Sequence, residues 1–111
     1  IRAFKEAEAH KGPSIILAYA PCINHGFDMS TSYGEMKKAV ETGYWNLFRY
    51  NPDSDDKFSL DSKPSKEYSE FLAGETRFTS MYKKDKVLAD KLFKDSEENA
   101  KNRLNRLEKF E

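Results

Sequence analysis

The sequence predicts an α/β chain: a small mixed sheet, built on a parallel βαβ unit with an antiparallel edge strand, and a helical C-terminal half. Three observations carry that reading. Ser14–Ala20 is a continuously apolar run, Tyr44–Tyr50 is aromatic and alternating, and the stretch between them has helix start and stop signals. Strand, loop, helix and strand within about forty residues make one βαβ unit, whose strands run parallel through a right-handed crossover.

The elements follow in order. Ile1–Lys11 reads as the end of a helix, with Ala3, Phe4 and Ala7 on one face, Arg2, Lys5, Glu6 and Glu8 on the wet one, and Gly12-Pro13 as the stop. Ser14–Ala20 has the composition of a strand covered on both faces. Pro21-Cys22-Ile23-Asn24-His25-Gly26 is the loop at its carboxyl end, with Gly26 free to take a positive φ. A helix is expected from Ser32, where Ser32-x-x-Glu35 fits a capping box, to Thr42, closed by Gly43. Met36, Ala39 and Val40 supply its apolar stripe. In the second strand Tyr44, Asn46, Phe48 and Tyr50 face one way and Trp45, Leu47 and Arg49 the other. After the polar turn 51–56, Lys57–Leu60 returns as the antiparallel edge. Ser65–Leu72 reads as a short helix capped by Ser65 and ended near Gly74, Arg77–Lys84 fits no single pattern, and Val87–Phe110 is a long helix with Leu88, Leu92, Ala100, Leu104 and Leu107 along one side. That stripe thins around 96–99, so the helix is expected to pack on something outside the chain. Residues 1–62 thus form the βαβ part and 63–111 a helical extension.

Composition narrows the function. The chain has 111 residues, 14% of them aromatic, which argues for folding. Nineteen basic residues balance nineteen acidic ones, whereas a nucleic-acid binder relying on phosphate neutralisation would carry a basic surplus. No apolar run approaches the roughly 18 residues a membrane span needs, and the charged opening Ile1-Arg2-Ala3-Phe4-Lys5-Glu6 is unlike a secretory leader. Without an initiating Met, the chain reads as a piece of something longer. One cysteine permits neither an internal disulfide nor a self-contained cysteine-ligated metal site, and a cytoplasmic, reducing setting is expected.

The chemistry concentrates at Cys22. Ligands of open α/β sheets gather beyond the carboxyl ends of the strands, where this loop falls. Four readings stand together: a buried small hydrophobe; a nucleophile with His25 as base; a zinc ligand beside His25, short of the usual four; and a thiolate donated to a cluster whose other ligands lie elsewhere. Trp45, Phe48, Tyr44 and Tyr50 read as core and interface residues, since a base-stacking platform needs basic neighbours and only Arg49 is near. Lys83, Lys84 and Lys86 read as a solvated face. Asp53, Asp55 and Asp56 resemble the start of a calcium loop but lack its Gly and final Glu.

Ile16–Gly26, then Ala39–Pro52 with its G-Y-W-N-L-F-R-Y-N-P ending, then Phe58–Lys63, resemble the C-terminal region of the pyruvate:ferredoxin (flavodoxin) oxidoreductases, or pyruvate synthases. The likeness runs through nearly the whole chain, including Glu75-Thr76-Arg77-Phe78 and the charged last helix. It implies a fragment of a thiamine-diphosphate-binding fold, in an enzyme that oxidatively decarboxylates pyruvate with coenzyme A. Thiamine diphosphate with Mg2+ performs the carbanion chemistry, and three [4Fe–4S] clusters pass electrons to ferredoxin or flavodoxin. The resemblance implies that Cys22 is the distant fourth ligand of the thiamine-proximal cluster, that the other three cysteines lie upstream, and that the full-length protein is a homodimer. The family's G-D-G thiamine–magnesium motif is absent here, so no catalytic residue carries over and the fragment alone is expected to bind no cofactor and to be inactive. Asn24, His25 and the amides around Gly26 are candidate hydrogen-bond donors to cluster sulfurs, with capping of the next helix the favoured role for His25. The other class of function is a non-catalytic scaffold or interaction module docking through the long helix.

Overall fold

The computed structural model describes all residues, Ile1–Glu111. Five helices and one hairpin form the chain: α1 (Arg2–Ala9), α2 (Ser32–Glu41), β1 (Phe48–Tyr50), β2 (Phe58–Leu60), α3 (Tyr68–Ala73), α4 (Thr76–Lys84) and α5 (Lys86–Glu108). Two short 3-10 turns, Ile23–His25 and Met29–Thr31, precede α2. Helix far outweighs strand.

The mixed α/β character holds, but the parallel βαβ unit does not form. The only sheet pairs β1 with β2 antiparallel, in the register Phe48↔Leu60, Arg49↔Ser59 and Tyr50↔Phe58. The expected edge strand is therefore present, as half of a hairpin. Ser14–Ala20 is not a strand: it runs without regular structure, with Ile15 86% and Leu17 74% exposed. A strand exists only by pairing, and none of the backbone hydrogen bonds within the chain involves residues 15–20. The second predicted strand shortens because the chain bends at residues 44–45 and pairs only from Phe48, so the expected alternation fails. Tyr44 and Trp45 both pack on the core, and Asn46 is buried between them and the hairpin's start.

The core is aromatic and lies where α2, α3 and α5 meet. Ala39, Tyr68, Phe71, Leu72 and Ala100 form it, with Tyr19, Tyr44, Trp45, Phe78 and Phe93 packed around. Phe71 is its centre, its ring 4.3 Å from that of Tyr44 and 6.2 Å from that of Phe78. Only 11 of 111 residues are buried. The accessible surface is 8351 Å², against about 6,300 Å² for a globular monomer of this mass. The radius of gyration, 16.5 Å, likewise exceeds the roughly 13 Å of a globular chain of this length. This chain therefore encloses little of its own apolar surface.

Local signals set the helix ends. Gly43, at φ 77°, closes α2 as expected, and Thr42 Oγ1 donates to the Lys38 carbonyl at 2.8 Å. The Ser32–Glu35 capping box does not form: Thr31 precedes α2 without a side-chain cap, and Glu35 instead accepts from Lys38 Nζ at 2.8 Å. Nor does Ser65 cap α3, which begins after Glu67; the backbone N–H groups of Ser65 and Lys66 donate to the Glu41 carbonyl and close α2 from outside. Arg77–Lys84, ambiguous in sequence, falls within α4. In α5, begun by Asp85 accepting from the Leu88 N–H at 3.0 Å, the packed side runs through Ala89, Phe93, Ala100, Leu104 and Leu107. Leu88 and Leu92 lie off it, 48% and 40% exposed. No helix is long and apolar enough to cross a membrane.

Arg49 fastens α1 to the hairpin. Its Nη1 donates to both Glu6 oxygens at 2.7 and 2.9 Å, while Nε and Nη2 form a fork on Asp61 at 2.6 and 2.8 Å. Arg49, with Arg2 assisting at Glu6, holds both carboxyls below their ordinary range. Carboxylates with depressed values stabilise the folded state above about pH 4, and that contribution disappears as the pH falls through the lowered values. Hydrogen–deuterium exchange, corrected for intrinsic rates, is expected to show α1 losing protection on acidification. In Arg49→Ala, α1 is poorly protected already at pH 7 and responds little to acid.

Candidate functional site

Cys22 is exposed, which removes the reading of a buried hydrophobe. Its backbone is extended, at φ −127° and ψ 147°, and it leads into the turn Ile23–His25. That turn is closed twice. The His25 N–H donates to the Cys22 carbonyl at 2.9 Å, and the Gly26 N–H to the Ile23 carbonyl at 3.0 Å. A third bond crosses back, from the Cys22 N–H to His25 Nδ1 at 3.3 Å.

This bond decides two expectations. The imidazole is engaged by the Cys22 backbone, and no hydrogen bond joins it to the Cys22 thiol, the contact that a base for a thiol nucleophile makes. It also does not cap the following helix: Asp28 caps the next turn, accepting from the Ser30 N–H at 2.9 Å, and α2 follows with no side-chain cap. A zinc site within the chain is likewise unsupported, since no three His, Cys, Asp or Glu side chains converge. The same holds for Asp53, Asp55 and Asp56. Asp53 instead pairs with His10 Nδ1 at 2.6 Å, tying the hairpin turn to the end of α1.

The loop is anchored by residues fifty positions downstream. The Gly26 carbonyl accepts from both the Thr76 N–H, at 3.0 Å, and Thr76 Oγ1, at 2.8 Å. The first free donor of α4 is thereby satisfied by the cysteine loop. Gly26 is required twice over: its φ is 77°, and a Cβ there would stand 2.4 Å from Thr76 Cβ. Beside Thr76, Glu75 is 1% exposed. Its carboxylate accepts from Arg77 Nε and Nη2 at 3.0–3.2 Å and lies 3.6 Å from His25 Nδ1. Arg77 stacks 4.5 Å above the Phe78 ring and donates to Tyr44 Oη at 3.4 Å. Burial works against its charge, but Tyr44 and Glu75 outweigh that and hold its proton more tightly than usual. Burial also pushes the neighbouring Tyr19 hydroxyl upward. Glu75, Thr76 and Arg77 match no motif that chemistry alone would single out. The local signal for them is slight: a helix-ending glycine, Gly74, followed at once by a threonine that opens the next helix.

No family model matches the chain. It is 48% identical, over 99% of its length, to the pyruvate:ferredoxin oxidoreductase of Moorella thermoacetica, and 47% identical, over 94%, to the pyruvate-flavodoxin oxidoreductase of Klebsiella pneumoniae. The chain belongs to the pyruvate:ferredoxin/flavodoxin oxidoreductase family. It is a fragment in that family's terms, spanning about a tenth of the length of these curated relatives. The mitochondrial pyruvate dehydrogenase [NADP(+)] of Euglena gracilis is also similar, 38% identical over 96% of the chain and 6% of the relative. For a cluster ligand of such an oxidoreductase, the donor chemistry fits at one position. Cys22 presents a soft, exposed sulfur, and the remaining ligands would have to come from outside this chain.

Two glycine substitutions test the anchoring. Gly26→Ala places a side chain at positive φ and against Thr76, and is expected to cost about 1–3 kcal/mol. Gly34→Ala lies in exposed helix with nothing within 4 Å, and is expected to stabilise by about 0.5–1 kcal/mol. Urea denaturation of the two variants alongside the parent measures both.

Proposed function

We propose that this chain is a C-terminal portion of the thiamine domain of a pyruvate:ferredoxin/flavodoxin oxidoreductase, and that its chemical contribution is Cys22, the fourth ligand of the thiamine-proximal [4Fe–4S] cluster. One observation supports this above others: the only cysteine in the chain stands exposed on a loop whose turn and downstream anchor leave it little freedom. Residues 1–62 then contribute the sheet-side part of the domain and 63–111 its helical extension. Bound to the full-length enzyme, thiamine diphosphate with Mg2+ supplies carbanion stabilisation on pyruvate, coenzyme A receives the acetyl group, and the clusters carry single electrons to ferredoxin or flavodoxin. The fragment holds none of these groups alone and is inactive by itself; the working enzyme is a cytoplasmic homodimer.

Each element here has a task under this reading. Cys22 ligates as the thiolate, the form that positive iron favours. The turn 23–25 fixes where its sulfur lies, so ligation orders little additional chain. Asn24 is the candidate donor towards a cluster sulfur, an arrangement that raises a cluster's potential, since the His25 and Gly26 amides are taken by the Cys22 and Ile23 carbonyls. Ser14–Ala20, leading directly into the loop, pairs with an open sheet edge carried by the rest of the polypeptide. Its unmade backbone hydrogen bonds and exposed Ile15 and Leu17 support that docking.

In the full-length enzyme, Cys22→Ser is expected to lower the iron content and to abolish or reshape one cluster's electron paramagnetic resonance signal. Unchanged iron and an unchanged signal would overturn the ligand assignment. Separately, amides 15–20 are expected to exchange on the order of a hundredfold more slowly in the full-length enzyme than in the isolated chain. Equal rates would remove the docking strand.

A further inference from the structure

We propose that Thr76, held in place by the buried Glu75 and its partner Arg77, is the positioning residue for the Cys22 sulfur. The inference rests on the ligand reading above and deepens it by naming what aims the ligand. The Gly26 carbonyl, four residues beyond Cys22, accepts two hydrogen bonds from one residue, Thr76 N–H at 3.0 Å and Oγ1 at 2.8 Å. Two donors on one acceptor fix direction as well as distance. Contact is close enough that no side chain fits at Gly26. From Gly26 back to Cys22 the path is short and internally bonded, by the Gly26–Ile23 and His25–Cys22 backbone bonds and by the Cys22 N–H to His25 Nδ1 bond. Movement of Thr76 is therefore transmitted to the thiol.

Thr76 is itself held from behind. Glu75 opens α4 with a fully buried side chain, and its carboxylate accepts three contacts from the adjacent Arg77. A buried carboxylate with a charged, forked partner has few alternative arrangements, because any displacement strands a charge away from water. Arg77 in turn lies against Phe78 and Tyr44 at the margin of the aromatic core. The ligand's position is thus referred to the core around Phe71, across fifty residues of sequence, through one threonine hydroxyl and one amide.

Thr76→Val isolates the hydroxyl, since it keeps the shape and the backbone donor, and Thr76→Ser restores an oxygen. Both are to be made in the full-length oxidoreductase beside Cys22→Ser. Residues that orient ligands typically alter metal affinity by about 10- to 100-fold. Iron release to a colorimetric chelator is accordingly expected to accelerate roughly tenfold in Thr76→Val. The resonance spectrum of the affected cluster shifts with it, and Thr76→Ser returns both towards the parent. If Cys22→Ser alters the spectrum while Thr76→Val matches the parent in both readouts, the positioning role is overturned and the ligand stands. If Cys22→Ser itself changes nothing, the ligand reading falls and the positioning role with it.

Discussion

Phe71 and Glu75 lie one helical turn apart in sequence, and they are the largest side chains wholly withdrawn from water. One is the centre of an aromatic cluster and the other the buried anion of an ion pair. Almost everything that gives this chain a defined shape meets at one or the other. Tyr44, carried by the turn after α2, packs on Phe71 with ring centroids 4.3 Å apart and also receives Arg77 through its hydroxyl. Apolar burial and ion pairing are therefore joined by a single tyrosine. Neither could be displaced without the other, because losing the tyrosine contact would open the core and loosen the guanidinium together.

The coupling matters because the chain has little else to hold it. A buried carboxylate is a poor source of net stability, since desolvation offsets much of the attraction to its partner. Its effect is on specificity: Glu75 has one satisfactory environment, and the Gly74–Thr76 corner must be built to provide it. The hairpin and α1 form a second, more exposed assembly around Arg49, with Glu6 and Asp61 partly open to solvent. Exposed pairs of that kind contribute modestly and are weakened by salt, so the hairpin side is the looser half of the molecule.

What could be read from the sequence follows the range of the interactions involved. Helices are local objects, and the glycines at 43 and 74 marked their ends correctly because helix termination is decided within a few residues. The hairpin partner Phe58–Leu60 was legible for a similar reason, lying next along the chain across one polar turn. The parallel βαβ unit was not, since Ser14–Ala20 has a strand's composition but composition supplies no partner. Capping by Ser32 and Ser65 failed because other partners won: Lys38, no farther from Glu35 than Ser32 is, takes its carboxylate, and the Ser65 amide goes to the Glu41 carbonyl while α3 begins only after Glu67. Cys22 was legible as a candidate because a lone thiol in such a loop is chemically conspicuous. Glu75, Thr76 and Arg77 were not, because a carboxylate, a hydroxyl and a guanidinium are common surface residues until long-range partners engage them, Gly26 for Thr76 and Tyr44 for Arg77.

The polar atoms left without partners carry the same logic further. Tyr19 Oη, both amide atoms of Asn46 and Glu35 Oε2 are buried and unpaired, and each such group costs about 1–3 kcal/mol. Tyr19 ends the unpaired segment and packs on Trp45, the residue next to Asn46. Two of the three residues therefore stand where residues 15–20 also leave their backbone hydrogen bonds unmade and their apolar side chains uncovered. Unsatisfied donors, unsatisfied acceptors and exposed hydrocarbon side by side are the three deficits that one added strand corrects at once: its ladder answers the backbone, its side chains cover the isoleucines, and its closure dries a region where an amide can then find a fixed partner. The loop carrying Cys22 begins directly after this segment. Whatever orders this segment from one side and Thr76 from the other would together fix the sulfur between two rigid supports, which is what the proposed ligand role requires.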